Sequence, residues 1–183
     1  MFDSIKFNGF IKNELDDLLF NDIWGYYAFN ETDLHSAAYY YIREYFRKRG
    51  SVNSDDIFVR CEPQMNDGTK PDIVLFRKYD PIYIIELKMF KRAEIINTQA
   101  IDNDLKKINK LMKSHDSVKW GFLIVAYDSD DMLYISDTKL KSNGYNNISF
   151  IPINLRRKEK SNRQRNGYLD WRKQFDKYLD KHF

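Results

Sequence analysis

Apolar residues recur at helical spacing in two long stretches of the chain. Between residues 30 and 49 they form a stripe of Leu34, Ala37, Ala38, Tyr41, Ile42, Tyr45 and Phe46. Between residues 97 and 114 a second stripe consists of Ile101, Leu105, Ile108, Leu111 and Met112. A stripe of this kind is typical of a helix that packs one side against a core. Both stretches are therefore predicted to be amphipathic helices.

Short apolar runs rich in β-branched residues predict the strands. They lie at 57–61, 73–76, 82–87, 119–127 and 148–153. The middle runs are almost continuously apolar, which is typical of strands covered on both faces. The segment Lys78-Tyr79-Asp80-Pro81 predicts a turn between the second and third strands. Residues 132–136 are a further candidate strand that would pair with 119–127.

The order of these elements predicts an α/β fold. A helix, three strands, a helix and a strand follow one another, so helices are expected to cover a mixed sheet on both sides. A short helix at about 10–20 would precede this core, and a terminal helix at 168–181 would follow it. The length of 183 residues is that of one domain. Residues 1–183 are therefore predicted to form a single domain.

Composition excludes several classes of protein. With 43% hydrophobic residues, 7 glycines and 4 prolines, the chain is neither disordered nor collagen-like. Its longest apolar runs are too short to cross a bilayer, so no membrane partner is expected. One cysteine excludes an internal disulfide and a cysteine-rich zinc site, and it favours a cytoplasmic location. The chain also has no glycine-rich phosphate loop, so it is not expected to bind a nucleoside triphosphate.

Positive charge is concentrated near the carboxyl-terminal end. The net charge is only +3, but one segment carries six basic residues and a single acid, Glu159. The basic residues are Arg156, Arg157, Lys158, Lys160, Arg163 and Arg165. A local cluster like this attracts polyanions, which makes it a candidate nucleic-acid contact. The alternative is a solvated loop that binds nothing.

Charged residues interrupt the apolar strands at one place. If 73–76 and 82–87 form a hairpin, residue 72 lies opposite residue 87 within one position, so Asp72 is brought beside Glu86 and Lys88. Glu86 and Lys88 are two residues apart and point to one face of the sheet, while Leu87 points to the other. Two neighbouring carboxylates repel each other, and a divalent cation such as Mg²⁺ or Mn²⁺ neutralises both. The alternative is a structural ion-pair cluster of Asp72, Lys88 and Glu86 at the sheet end.

This hairpin carries a known motif. Pro71-Asp72, a spacer of 13 residues and then Glu86-Leu87-Lys88 resembles the signature of the PD-(D/E)XK nuclease superfamily. The order of the elements between about 30 and 127 is also similar to that of the family's core. The resemblance implies a restriction-endonuclease-like three-layer sandwich, with the additional helices before residue 30 and within about 154–183 lying outside the core.

The family resemblance also implies a role for each residue of the motif. Asp72 and Glu86 would bind one or two Mg²⁺ or Mn²⁺ ions, and the backbone carbonyl of Leu87 would complete the set of ligands. Lys88 would orient the attacking water or help to deprotonate it. The implied reaction is metal-dependent hydrolysis of a phosphodiester bond that leaves a 5′-phosphate and a 3′-hydroxyl.

Members of the family often add an acid from the first helix. Glu31 is the preferred candidate for a metal or water ligand here, and Glu44 is another. The alternative for Glu31 is a first-turn acid that interacts with the helix dipole. His35 shares the face of Glu31, and some viral cap-snatching endonucleases of this fold use a helix histidine as a metal ligand. The alternative for His35 is an ordinary histidine at the surface.

Two further residues are weaker candidates for contact with the site or the substrate. Glu62 ends the first predicted strand, where the resemblance allows an acid to face the site, although a simple strand-end acid is the alternative. Gln99 begins the helix after the motif, where family members often carry a polar residue that contacts substrate.

These observations leave three functions open. The first is a metal-dependent endonuclease that acts on DNA, for which symmetry favours a homodimer, since cleavage of two strands usually needs two active sites. The second is an RNA endonuclease of the same fold that prefers Mn²⁺, which a ligating His35 would favour. The third is a non-catalytic binding module on a nuclease scaffold, which the intact motif of Asp72, Glu86 and Lys88 disfavours.

Overall fold

The computed structural model describes residues 3–24, 30–48, 57–90, 96–129, 133, 135 and 137–155. Before the sheet the elements are α1 (Ser4–Phe10), a π-helical segment (Ile11–Leu15), α2 (Asp16–Trp24) and α3 (Glu31–Lys48). Then come β1 (Ile57–Cys61), β2 (Ile73–Arg77), β3 (Asp80–Phe90), α4 (Thr98–Ser114), β4 (Trp120–Tyr127), α5 (Asp137–Ser142) and β5 (Ile148–Asn154).

The five strands form one mixed sheet in the order β1-β2-β3-β4-β5. The pairs β1–β2 and β2–β3 are antiparallel, whereas β3–β4 and β4–β5 are parallel. Parallel neighbours need a crossover, and α4 provides it between β3 and β4. The predicted α/β class with a mixed sheet is therefore confirmed.

Helices flank both faces of the sheet. Alternate side chains of β3 belong to two separate apolar clusters, with Ile85 and Leu87 in one and Ile84 in the other. The first cluster includes the buried residues of α1, α2 and α3, and the second includes those of α4 together with Leu140 of α5. Leu87 thus faces the amino-terminal helices, as strand alternation predicts for the neighbour of Glu86 and Lys88.

The register of the hairpin is within the predicted margin. Ile73 pairs with Ile85, which brings Asp72 next to Glu86. The turn is shorter than predicted, because β3 already begins at Asp80 and only two residues lie between the strands. Lys78 has a φ of 57°, the left-handed conformation that a tight turn between antiparallel strands requires. Pro81 therefore lies in β3 and not in the turn.

The amino-terminal helices extend further than the predicted range of 10–20. The helical region runs from Ser4 to Trp24 and buries one side against the sheet. Its buried residues are Phe7, Phe10, Ile11, Leu15, Leu19 and Ile23. Asp3 caps the first turn, since its side chain accepts hydrogen bonds from the backbone N–H groups of Ile5 and Lys6 at 3.1 and 3.0 Å.

Two predictions near the carboxyl-terminal end have different outcomes. Pairing of 132–136 with β4 is wrong, because both edges of β4 are occupied by β3 and β5. The predicted helix at 168–181 and the basic segment at 156–165 lie outside the described residues. None of the helices that the structure describes is long and apolar enough to span a membrane.

Close packing of α4 on β4 depends on Gly121. A Cβ atom at this position would collide with Ile108 Cγ2 and lie 3.2 Å from Met112 Sδ. Gly121→Ala is therefore expected to lower the free energy of unfolding by about 1–3 kcal/mol, because overpacking displaces the helix. Thermal denaturation followed by circular dichroism measures the loss.

Gly9 offers a matched control for this substitution. No atom lies within 4 Å of a Cβ at Gly9, which is inside α1. Gly9→Ala is expected to stabilise the protein by about 0.5–1 kcal/mol through helix propensity. Equal effects of the two substitutions would contradict the close contact between α4 and β4.

Candidate active site

The three residues of the predicted motif meet at one end of the β2–β3 hairpin. Asp72 directly precedes β2, and its Oδ2 accepts a hydrogen bond of 2.7 Å from the backbone N–H of Leu87. This bond attaches the Asp72 side chain to β3 between Glu86 and Lys88. The hairpin register and strand alternation together produce the arrangement that the sequence predicted.

Glu86 is a deeply buried carboxyl group. Its exposed fraction is 1%, and its Oε2 lies 2.5 Å from the Nζ of Lys107. Burial and the nearby charge of Asp72 raise the pKa of Glu86 to about 9, although the positive charge of Lys107 opposes this shift. In the metal-free protein at neutral pH, Glu86 therefore keeps its proton.

Lys88 is held by carboxylates on two helices. Its Nζ lies 3.0 Å from Glu31 Oε1 on α3 and 3.7 Å from Asp104 Oδ2 on α4. Burial by itself lowers the pKa of Lys88, but the hydrogen bond that Lys88 donates to Glu31 and the charges of Asp104, Glu31 and Asp72 outweigh it and raise the pKa overall. Lys88 is thus a fixed positive charge at neutral pH, and it is a poor base.

The amino-terminal end of α3 contributes two residues to the site. Glu31 uses both carboxylate oxygens, because Oε1 pairs with Lys88 and Oε2 accepts a 3.1 Å hydrogen bond from the backbone N–H of Met89. His35, one turn further along α3, places its Nε2 3.4 Å from Asp72 Oδ2. The shared helix face of Glu31 and His35 is therefore directed at the hairpin.

Two residues of α4 belong to the site but were not predicted to. The Nζ of Lys107 contacts Glu86, lies 4.0 Å from Asp104 Oδ1 and donates to the carbonyl of Lys70 at 3.4 Å. The sequence does carry a signal for Asp104, since it lies three residues after Ile101 and thus borders the apolar stripe of α4. An acid at that border is directed at the sheet.

Other candidates lie further from the centre of the site. The backbone N–H of Glu62 donates to the carbonyl of Asp72 at 2.8 Å, and Glu62 has a φ of 44°, while its side chain is exposed. Gln99 is exposed and donates to Asn103 Oδ1. Glu44 is paired with Arg47 through two hydrogen bonds of 2.7 Å. The structure therefore brings the backbone of Glu62 to the site, but it does not connect Gln99 or Glu44 with it.

The polar atoms of the site are incompletely satisfied. Buried atoms without a hydrogen-bond partner in the described part of the chain include His35 Nε2, Glu86 Oε1 and Asp104 Oδ2. Such groups are uncommon in protein interiors, and an unseen water or ion often explains them. In the ranges described, no three His, Cys, Asp or Glu side chains form a group that could hold a metal ion.

A divalent cation nevertheless fits the donors that are present. Mg²⁺ commonly takes only one or two carboxylates and keeps several waters. Asp72 and Glu86 supply two carboxyl groups, and Glu86 has an oxygen without a partner. A cation here would also offset the burial and the charge of Asp72 that raise the pKa of Glu86.

A groove also lies at the edge of the sheet formed by β1. This groove of about 750 Å³ runs between the second half of α3 and β1. Its lining includes Arg43 of α3 and Phe58 and Arg60 of β1, but none of Asp72, Glu86 and Lys88. The candidate site is therefore identified by its chemistry and not by the volume of a cavity.

Comparisons with known proteins identified no relative of this chain. No protein-family model matches the sequence, no curated protein matches it, and no solved structure matches the chain. Any conclusion about function therefore depends on the residues of the site.

Proposed function

We propose that this protein is a divalent-metal-dependent nuclease of the PD-(D/E)XK superfamily with a restriction-endonuclease-like fold. It would hydrolyse phosphodiester bonds of DNA as an endonuclease and leave 5′-phosphate and 3′-hydroxyl ends. The observation that carries the proposal is the meeting of Asp72, Glu86 and Lys88 at one end of the hairpin, with one buried carboxylate oxygen of Glu86 unpaired. The order α3, β1, β2, β3, α4, β4 supports the proposed fold.

Asp72 and Glu86, together with the carbonyl of Leu87, are the residues that would hold Mg²⁺ or Mn²⁺. A bound ion of this kind lowers the pKa of a coordinated water and stabilises negative charge on phosphoryl oxygens. The peptide of Leu87 already contacts Asp72 through its N–H group. Two of these donors lie on β3 and the third directly precedes β2, so the sheet forms a rigid support for such a centre.

The lysines of the site would stabilise the charge of the substrate. Lys88, which stays protonated, is suited to stabilise the negative charge that develops on the phosphate and to orient the attacking water. Glu31 then acts as a positioning residue, because its contacts with Lys88 and Met89 fix the ammonium group. Lys107 contacts Glu86, and with a cation bound beside Glu86 its ammonium group would be available to a phosphate.

Beyond the site, the proposal includes nucleic acid as the partner. The six basic residues between Arg156 and Arg165 would contact the phosphate backbone, which makes binding sensitive to salt. A cytoplasmic, single-domain enzyme that forms a homodimer is the arrangement we propose.

Cleavage assays with DNA and RNA test the proposal directly. The full chain is incubated with each nucleic acid in the presence of Mg²⁺, Mn²⁺ or a chelator, and the ends of the products are analysed. Cleavage that requires the metal and leaves 5′-phosphates is the expected result. A protein that binds nucleic acid but cleaves neither polymer with either metal would be the non-catalytic module instead.

His35 favours a second candidate, a Mn²⁺-dependent RNA endonuclease. Its Nε2 is directed at Asp72 and lacks a hydrogen-bond partner, as a metal ligand does before it binds its ion. An imidazole ligand shifts preference towards Mn²⁺ over Mg²⁺.

His35→Ala separates the two candidates. If His35 is a ligand, the substitution is expected to lower the ratio of Mn²⁺-supported to Mg²⁺-supported RNA cleavage by about tenfold. His115→Ala, at the carboxyl-terminal end of α4, is the matched control and should leave that ratio unchanged. An unchanged ratio in His35→Ala would argue against the RNA endonuclease and favour the DNA endonuclease.

A further inference from the structure

Two strands at one edge of the sheet carry exposed aromatic and basic side chains. Helix α4 packs mainly against β3, β4 and β5, which leaves much of β1 and β2 outside its cover. Phe58 on β1 is 49% exposed, Arg60 is exposed, and Phe76 on β2 is only partly buried. We call these three residues the stacking platform.

The stacking platform lies on the same face of the sheet as Glu86. Phe58 is directly opposite Phe76, and the guanidinium carbon of Arg60 is 5.7 Å from the centre of the Phe76 ring. Phe76 packs against the apolar cluster that contains α4, and Glu86 contacts Lys107 of α4. A substrate on this face would therefore reach both the platform and the site.

The stacking platform lies a short distance from the candidate active site. Arg60 pairs with Val74, which is two residues from Asp72, and Phe76 is four residues from Asp72. At the usual rise of about 3.3 Å per residue, Arg60 and Phe76 are about 7 and 13 Å from Asp72 along β2. The platform is thus placed to hold the part of a substrate next to the reacting bond.

The chemistry of the platform is that of a site for unpaired bases. An exposed aromatic ring on a sheet stacks on a base only if the face of that base is free, which excludes the interior of a duplex. Arg60 has no carboxylate at ion-pair distance among the described residues, so its charge complements a phosphate. Aromatic and basic groups interleaved in this way are typical of proteins that bind single strands.

We propose that the stacking platform binds unpaired nucleotides of the strand whose phosphodiester bond lies at Asp72 and Glu86. This inference rests on the proposed function and names its substrate class, which is single-stranded or locally unpaired nucleic acid. Phe58 supplies the exposed ring for stacking, Arg60 binds the adjacent phosphate, and Phe76 supports the guanidinium of Arg60.

Binding without cleavage provides the first test. In a chelator, the affinity of the full chain for a labelled oligothymidylate of about 15 nucleotides, a length that one small domain can cover, is compared with that for a duplex. Phe58→Ala is expected to weaken single-strand binding by about tenfold, while Phe58→Tyr restores it. Tyr79→Ala, in the exposed turn between β2 and β3, is the matched control and should bind as the wild type does.

The role of Arg60 has its own signature. Arg60→Ala is expected to reduce the slope of the logarithm of affinity against the logarithm of salt concentration by about 0.7, the value for one contact with a single strand. Lys141→Ala, on α5, is the control for a general loss of positive charge and should leave that slope unchanged.

Cross-linking identifies the position of the strand and separates the two proposals. An oligonucleotide that carries 5-iodouracil should cross-link to Phe58, as mapped by mass spectrometry. Unchanged affinity of Phe58→Ala, or equal binding of duplex with no cross-link to Phe58, would overturn the platform while leaving metal-dependent cleavage untouched. Conversely, a cross-link at Phe58 without any cleavage would remove the proposed enzyme and retain the platform.

Discussion

Asp72→Asn is expected to reduce metal-dependent cleavage of nucleic acid by about 1,000-fold or more. The substitution keeps the size of the side chain but removes the negative charge that would bind the cation. Loss of metal catalysis costs several kcal/mol of transition-state stabilisation, and each 1.4 kcal/mol is about a factor of ten in rate. The measurement is the initial rate of cleavage with saturating Mg²⁺ or Mn²⁺.

Asp80→Asn is the matched control for this prediction. Asp80 belongs to the same hairpin, but it is exposed and is the first residue of β3, next to the turn and distant from Glu86. Its substitution should leave the rate within about a factor of two, as is usual for a surface change. If Asp72→Asn and Asp80→Asn cleave equally well, Asp72 does not belong to the active centre, and the proposed function loses its basis.

Glu86→Gln is expected to change the pH dependence of stability. In the folded protein the pKa of Glu86 is raised to about 9 from its usual value of 4.5, so between these values the folded state holds a proton that the unfolded state releases. The contribution of this proton to the free energy of unfolding is fully present below the unfolded pKa. It decreases by about 1.4 kcal/mol per pH unit as the pH rises towards 9. Glutamine does not ionise, so the unfolding free energy of the variant should depend much less on pH in this range.

Chemical denaturation between about pH 5 and pH 8 in the presence of a chelator measures the effect. Wild-type protein should lose about 4 kcal/mol of unfolding free energy over this interval, and Glu86→Gln much less. Burial also raises the pKa of Asp104, which leaves a smaller slope of the same sign. An unchanged slope in Glu86→Gln would show that Glu86 is ionised in the folded state and that Lys107 neutralises it.

The sequence predicted the hairpin site well because its geometry is local. Only two residues separate β2 from β3, and the pairing shifts by one residue at an irregularity between Leu75 and Phe76, so the register stays within one position of the prediction. Alternation along β3 then determines that Glu86 and Lys88 share a face. From these two constraints Asp72, Glu86 and Lys88 could be brought together without knowledge of the rest of the fold. The same reasoning placed Leu87 on the opposite face, where it is found.

The contributions of the helices were harder to predict. The sequence assigned Glu31 and His35 to one face of α3. It did not identify the residues that they contact, because the direction of a helix relative to the sheet depends on packing. In the structure Glu31 accepts hydrogen bonds from Lys88 and from the backbone of Met89, while His35 faces Asp72. A first-turn acid has the same sequence signal whether it interacts with the helix dipole or with a lysine 57 residues away.

The pattern of apolar residues by itself determined the α/β class, the mixed sheet and the acidic pair at the end of its hairpin, because helical and strand periodicities and a short turn are properties of neighbouring residues. Only the tertiary structure decided that Asp104 and Lys107 reach this pair. Their position depends on how closely α4 approaches the sheet over Gly121, and that distance results from side chains far apart in the chain.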